Sequence, residues 1–262
     1  ANEMLGGDKG VYDLVSVSDV NMFQDVREVV VLSGKLAGVK LTKKMIAECK
    51  KFVAAVNDLT NKYKDADEII LFPLYPHHSV TTITSSLDSA KRAIDELRIS
   101  AKISIIDYFY NNDKFNDIII ADIIKSLGDT NARQIDLIFS AHSLPQKVID
   151  KGDLYERHLK DHLEILKSKL SIAKLEFNSI SLAYQSRLGP VKWLGPNLSE
   201  VLPNLPSKKA LIYPISFCID NSETDFELAV EYKHIANESK FEFYKVVKAP
   251  NDSDEFAQFI AK

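Results

Sequence analysis

Cysteine is almost missing from this 262-residue chain: Cys49 and Cys218 stand far apart and in no CxxC spacing. That excludes a disulfide framework and a cysteine-rich zinc or iron–sulfur centre, so no iron–sulfur cluster is expected and a reducing, cytoplasmic setting fits. No apolar run approaches the ~20 residues of a membrane-spanning helix. Residues 1–13 lack the charged-then-apolar pattern of a secretory signal. An excess of positive charge is lacking too, since 33 Lys and Arg against 37 Asp and Glu leave a net charge of −4. Without a broad basic field, nucleic acid is not expected as a partner. No low-complexity tract or short-period repeat interrupts the chain.

What is present is ordinary globular composition, 45% hydrophobic and 27% charged, in a length that suits one large domain or two small ones. Short runs rich in Val, Ile and Phe, at 28–33, 67–74, 102–107, 134–141, 178–184, 209–217 and 241–247, read as buried strands. Helical stretches near 42–64, 86–98, 113–127, 153–170, 223–238 and 253–261 alternate with them. A repeated β-α order predicts an α/β fold with parallel sheets flanked by helices and ligand sites outside the carboxyl ends of the strands. The polar interval SLGDTNARQ at 126–134 reads as a seam between two Rossmann-like domains, 1–128 and 129–262. The terminal helix at 253–261 is expected to pack back on the first of them.

Polar segments follow four strands: PLYPHHS, SAHSLP, YQSRLGPVKWLGP and CIDNSETDFELAVEY. A parallel sheet would gather them along one edge, with His142 at the lip. Alone, a histidine at a strand end is more often a satisfied structural residue. The last segment opens a helix capped by Asp220 or Ser222, and Glu223, Glu227 and Glu231 fall at i, i+4 and i+8. That stripe is either a solvated face or a carboxylate ladder for a divalent cation. His77 and His78 adjoin a strand end, where neighbours point opposite ways and at most one faces a site. His158 and His162 stand i, i+4 on a helix without the HExxH glutamate, and read as a solvated face more readily than as a zinc pair. Trp193, the one tryptophan, is core packing or an aromatic wall for a flat ligand.

Taken together the four segments resemble the ferrochelatase family. LFPLYPHHSVTTITSS is similar to its PLYPQYS-x-TT-x-GS region and FSAHSLPQKVIDKGDLY to its SAHGLP…GDPY. AYQSRLGPVKWLGP and YPISFCIDNSETDFELAVEY match its YQS-x-x-GP-x-x-WL-x-P and P-I-x-F-x-x-DH-x-ET-x-x-EL-x-x-EY. The resemblance covers about residues 66–262. Asn221, Thr84 and Ser143 depart from a histidine and two glycines of those patterns. The family's opening strand and LNLGGP-like turn have no match, so a divergent or incomplete start is expected.

The resemblance implies insertion of Fe2+ into a porphyrin, protoporphyrin IX foremost, with His142 accepting a pyrrole proton and Glu223 facing it across the macrocycle. His142, Glu223, Glu227 and Glu231 would handle the metal. Trp193, Tyr75 and Ser140 would contact the porphyrin. Iron and porphyrin are then substrates, and no tightly bound cofactor is expected. A monomer is expected, with transient contact to a membrane or partner enzyme compatible with a poorly soluble ligand. Two other readings compete: a chelatase-like protein that binds tetrapyrrole or metal without turnover, and a chelatase for another metal or tetrapyrrole.

Overall fold

A computed structural model describes residues 67–261 apart from Leu97 and Leu188. The strand expected at 28–33, the helix expected at 42–64, Cys49 and the divergent opening segment lie outside the described residues. Of those described, residues up to Ile70 and Ser89–Ser104 belong to one compact unit, and Leu71–Asp88 with the residues from Ile105 onward to another.

In the first unit, β1 (Glu68–Leu71) pairs with β2 (Lys102–Ile105). Lys102 Nζ meets Glu68 Oε1 at 2.9 Å across that pair. Helix α1 (Ser85–Glu96) is preceded by a π-helical turn, Val80–Thr84, where a plain α-helical start was expected. Ser79 caps the turn by accepting from Thr81 N.

The second unit is an open parallel sheet in the order β4-β3-β5-β6, with β3 Asp136–His142, β4 Ser179–Gln185, β5 Lys209–Pro214 and β6 Phe243–Val246. Its two central strands, β3 and β5, are buried on both faces because their residues are apolar at consecutive positions. Alternation then sorts them. Leu137, Phe139, Ala141, Leu211 and Tyr213 face one core, shared with α2 (Asp113–Leu127) and α3 (Tyr155–Ile172). Ile138, Ala210 and Ile212 face the other, against Leu198, Leu202, Leu228 and Tyr232. Helices therefore flank both faces, the arrangement the β-α alternation predicts. Each fully buried Leu, Ile or Phe contributes roughly 1.5–3 kcal/mol.

The expected helix at 223–238 has two parts, a π-helix over Glu223–Glu231 and α4 (Tyr232–Glu238). Tyr232 N bonds Glu227 O in place of the i−4 carbonyl. The terminal helix α5 (Asp254–Ile260) sets Phe256 and Phe259 against Phe115 of α2, with ring centroids at 6.2 and 5.7 Å.

One cap is a simple stability test. Asn197 starts the one-turn helix Leu198–Val201 with a full capping box: its side chain accepts from Ser199 N at 2.9 Å and Glu200 accepts from Asn197 N. Asn197→Ala is expected to cost about 1 kcal/mol, read as a lower urea midpoint with an unchanged slope. An unchanged midpoint would remove the cap from the list of stabilising contacts.

Candidate active site

The parallel register brings the polar segments to one edge. His142 is the last residue of β3 and lies level with Gln185, the last of β4. Beyond β5 the chain turns at Ser216 and reaches the π-helix. These ends, with the 75–82 segment, enclose a cavity of about 310 Å³ lined by His142, Glu223, Tyr155, Tyr75, His77 and Asn221, among others. That volume sits at the small end of the ~300–1,000 Å³ of ligand pockets.

His142 Nδ1 lies 2.6 Å from Glu223 Oε2. A carboxylate can only accept, so Nδ1 carries a proton, and in the neutral ring the lone pair lies at Nε2. Glu223 thus meets His142 directly, where the resemblance implied a macrocycle between them. The strand end holds the backbone beneath: Tyr155 donates its hydroxyl to His142 O at 2.9 Å, and His142 N donates to Ser216 Oγ at 3.3 Å. Burial pushes the Tyr155 phenol upward, which keeps this donor protonated.

Burial raises the Glu223 carboxyl, but the hydrogen bond and charge of His142, with the Ser186 hydroxyl, outweigh it and leave Glu223 below its ordinary value. Glu227 goes the other way. Burial, reinforced by the charge of Glu223, lifts it despite donors from Ser186. Ser186 joins the two acids: its amide donates to Glu227 Oε1 at 2.6 Å, and its hydroxyl lies 2.5 Å from Glu227 Oε2 and 2.8 Å from Glu223 Oε2. One hydroxyl proton cannot serve two carboxylates at once, so Ser186 shares it between the two acids. Gln185 adds its amide to Glu227 Oε2 at 3.3 Å and accepts from Ser140.

The expected acid stripe is therefore shorter than the sequence implies. Glu223 and Glu227 share Ser186, because the wider π turn keeps residues four apart near one side, while Glu231 is exposed. Among the described residues, no three His, Cys, Asp or Glu side chains form a cluster able to hold a metal ion. Of the expected porphyrin contacts, Tyr75 lines the cavity, while Ser140 and Trp193 are not part of its lining. Ser140 is fully buried and spends its hydroxyl on Gln185 Oε1 at 2.6 Å. Trp193, half-buried, bridges to Pro145, and Leu194 N donates to Leu144 O at 3.0 Å, which ties its loop to the one after His142.

Of the two expected caps, Ser222 stands at the N-cap position of the π-helix but without a side-chain cap, and Asp220 binds Lys248 and Asn251 instead. Asn221 performs the role, its Oδ1 accepting from Glu223 N at 2.8 Å. Ser143 also has a use: its hydroxyl donates to Leu194 O at 3.1 Å. The largest departure from expectation is the helix pair. His158 and His162 are 5% and 0% exposed, not on a solvated face, and they meet His78 and His77 from the 75–82 segment. Gln185, Ser186 and Tyr155 went unmarked in the sequence, and Asn221 stood out only as a departure from a histidine of the family pattern. A serine directly after a buried strand's final glutamine was the one available hint.

With this geometry in view, the sequence profile of the ferrochelatase family matches residues 45–262. A protein named Ferrochelatase from Campylobacter fetus subsp. fetus is 64% identical over 204 residues, 78% of this chain and 65% of that protein. One from Nitratiruptor sp. is 42% identical over 239 residues, 91% of this chain and 75% of that protein. The chain spans 65% of the length of the Campylobacter fetus and Campylobacter concisus relatives it matches. Among solved structures, SirB from Bacillus subtilis with Fe3+ superposes with a TM-score of 0.51 at 11% identity, over 84% of this chain and 74% of that one, a likeness of fold alone.

Proposed function

The chain belongs to the ferrochelatase family, and on that premise we propose that it inserts Fe2+ into a porphyrin, protoporphyrin IX first among them, with His142 as the proton acceptor. The observation that carries this reading is the 2.6 Å contact between His142 Nδ1 and Glu223 Oε2 at the wall of the cavity. Insertion replaces two pyrrole protons by one divalent ion. A neutral imidazole whose Nδ1–H is held by a carboxylate offers Nε2 as the base, and the same carboxylate stabilises the imidazolium that forms. The His142 side chain is 35% exposed, so each proton can pass to water before the next is taken.

Glu227 and Glu231 are proposed as oxygen donors on the metal's way in. Glu231 is exposed while Glu227 and Glu223 are both half-buried, and hard or borderline cations suit such donors. Tyr75 is proposed to meet the porphyrin at the lining. Trp193 is proposed to take an outer edge of the ring, its loop fixed through Pro145 three residues beyond His142. Iron and porphyrin are substrates here, not resident cofactors.

Among the described residues no helix is long and apolar enough to cross a membrane. Anaerobic mixing of the chain with protoporphyrin and Fe2+, or with Zn2+ as a stable surrogate, tests the reading through the porphyrin absorption bands. Metalloporphyrin bands growing faster than without protein are expected. A bound porphyrin that keeps its free-base bands would overturn insertion and return the binding-without-turnover reading.

A further inference from the structure

One serine beside the cavity keeps a backbone conformation that a glycine would take more cheaply. Ser186 has a φ of 65°. Lys174 and Lys240 share that left-handed region, but each stands just past a helix, α3 or α4, where the conformation closes the last turn. Ser186 instead follows the buried end of β4. A residue other than glycine held left-handed away from a helix end points to a use for its side chain.

The hydroxyl supplies that use. Ser186 Oγ lies 2.8 Å from Glu223 Oε2, the same oxygen that His142 Nδ1 meets at 2.6 Å. The imidazole comes from the end of β3 and the hydroxyl from just beyond β4, strands paired with His142 level with Gln185. Donors from two adjacent strand ends therefore converge on one carboxylate oxygen, which fixes how the carboxyl group is turned. Behind them Gln185 is fully buried, with its Oε1 held by Ser140, and it gives its amide to Glu223 O at 3.2 Å. The backbone amide of Ser186 is spent on Glu227 Oε1, so of its two donors only the hydroxyl reaches Glu223.

We propose that Ser186 is a positioning residue for proton acceptance by His142, acting through Glu223: its left-handed backbone aims the hydroxyl, and the hydroxyl aims the carboxylate at Nδ1–H. The inference rests on the insertion reading for the reaction it serves. Proton acceptance at Nε2 requires that Nδ1–H stay bound behind the ring, and a carboxylate free to turn about its last torsion would release it. The same hydroxyl favours the ionised carboxylate, and is one of the causes that hold Glu223 below its ordinary value. Support of this kind, from a neighbour mounted on a rigid strand end, is what keeps a reacting group in a productive geometry.

Ser186→Gly in the whole chain separates side chain from backbone, because glycine takes a left-handed φ freely and keeps the amide. An equal or higher urea midpoint is expected, with an unchanged KM for protoporphyrin. The kcat for Zn2+ insertion should fall by up to about 100-fold, the cost of misplaced geometry. With one donor gone Glu223 binds its proton more tightly, so the acid limb of kcat against pH should move to higher pH. An unaltered kcat with an unmoved limb overturns the proposal, and so does a loss of rate matched by a loss of stability, which would make Ser186 a structural support. The 13C titration of the Glu223 carboxyl, assigned by comparison with Glu223→Gln, reads the same effect without porphyrin. Protonation at higher pH is expected in Ser186→Gly; equal titration in the two proteins overturns the proposal. A chain that never metallates porphyrin would sink the insertion reading alone, and the carboxyl titration would still decide the role of Ser186.

Discussion

His142→Ala should lose iron insertion by a factor of about 10²–10⁴ while the fold and porphyrin binding persist. The magnitude is that of a positioned general base. The imidazole is the one group on the cavity wall that combines a lone pair at Nε2 with a carboxylate fixed behind it. Its removal leaves Glu223 bonded to Ser186 and still reached by solvent, since the Glu223 side chain is 25% exposed, so no charge is stranded in the core. The strand beneath is also unaffected, because Tyr155 and Ser216 hold the backbone at residue 142 and not its side chain. Stopped-flow metallation with Zn2+, alongside fluorescence titration of porphyrin, separates the two effects. Near-normal turnover in the variant would move the base elsewhere, whereas loss of porphyrin binding would make His142 a docking residue.

Acid should destabilise the fold before the ordinary carboxylate range is reached. His77 and His162 are buried and neutral, both held below the usual histidine value by burial. The unfolded chain binds protons at these rings from about pH 6.5 downward. The folded chain does not, until about pH 3 in the case of His162. Stability therefore rises with pH through that window and falls on acidification, by about 1–3 kcal/mol per pH unit for the pair. His158, also lowered by burial, adds in the same direction. Two raised acids, Glu227 and Asp122, oppose it, since burial makes each bind its proton more tightly in the folded chain. The depressed Glu223 contributes stability that is lost only as pH falls below the ordinary glutamate range. Urea midpoints between pH 6.5 and 5 read the histidines net of those two raised acids. His162→Gln, which keeps hydrogen-bonding groups at the site, should flatten the slope by about half; an equal slope in both proteins would mean that the rings are already protonated when folded.

The strands of the larger sheet were legible because residues 134–141 and 209–217 are apolar at consecutive positions, which only a strand buried on both faces requires. His142 was legible at the end of such a run, where a parallel sheet collects its ligands. The burial of His158 and His162 was not. Arg157, Lys160 and Asp161 surround them in sequence, and a charged neighbourhood reads as solvent. What covers the two histidines arrives from residues 77–78 and from Tyr108 and Tyr110, whose rings lie 4.6 Å from His158, and no local periodicity encodes that meeting. Ser186 escaped for another reason. Its importance comes from a positive φ of 65°, which turns amide and hydroxyl together toward the acids, and nothing in the letters YQS announces a left-handed serine. The position of Glu223 relative to His142 could not be read at all, because a motif names partners without saying which side of a ligand they share.

The widened turn at Glu223–Glu231 has a consequence for how this segment tolerates change in length. An i→i+5 ladder holds one more residue than an α-helix closing over the same span, so losing a single residue there would let the segment relax into ordinary helix, continuous with α4. That repair would be locally favourable and functionally ruinous. Where the lost residue lies between Glu223 and Glu227, residues on one side of the gap would rotate by about 100° against those on the other, which parts the two acids and breaks their shared hold on Ser186. Substituting the exposed Phe226 leaves both acids in register; deleting it, which conserves every acid, should not.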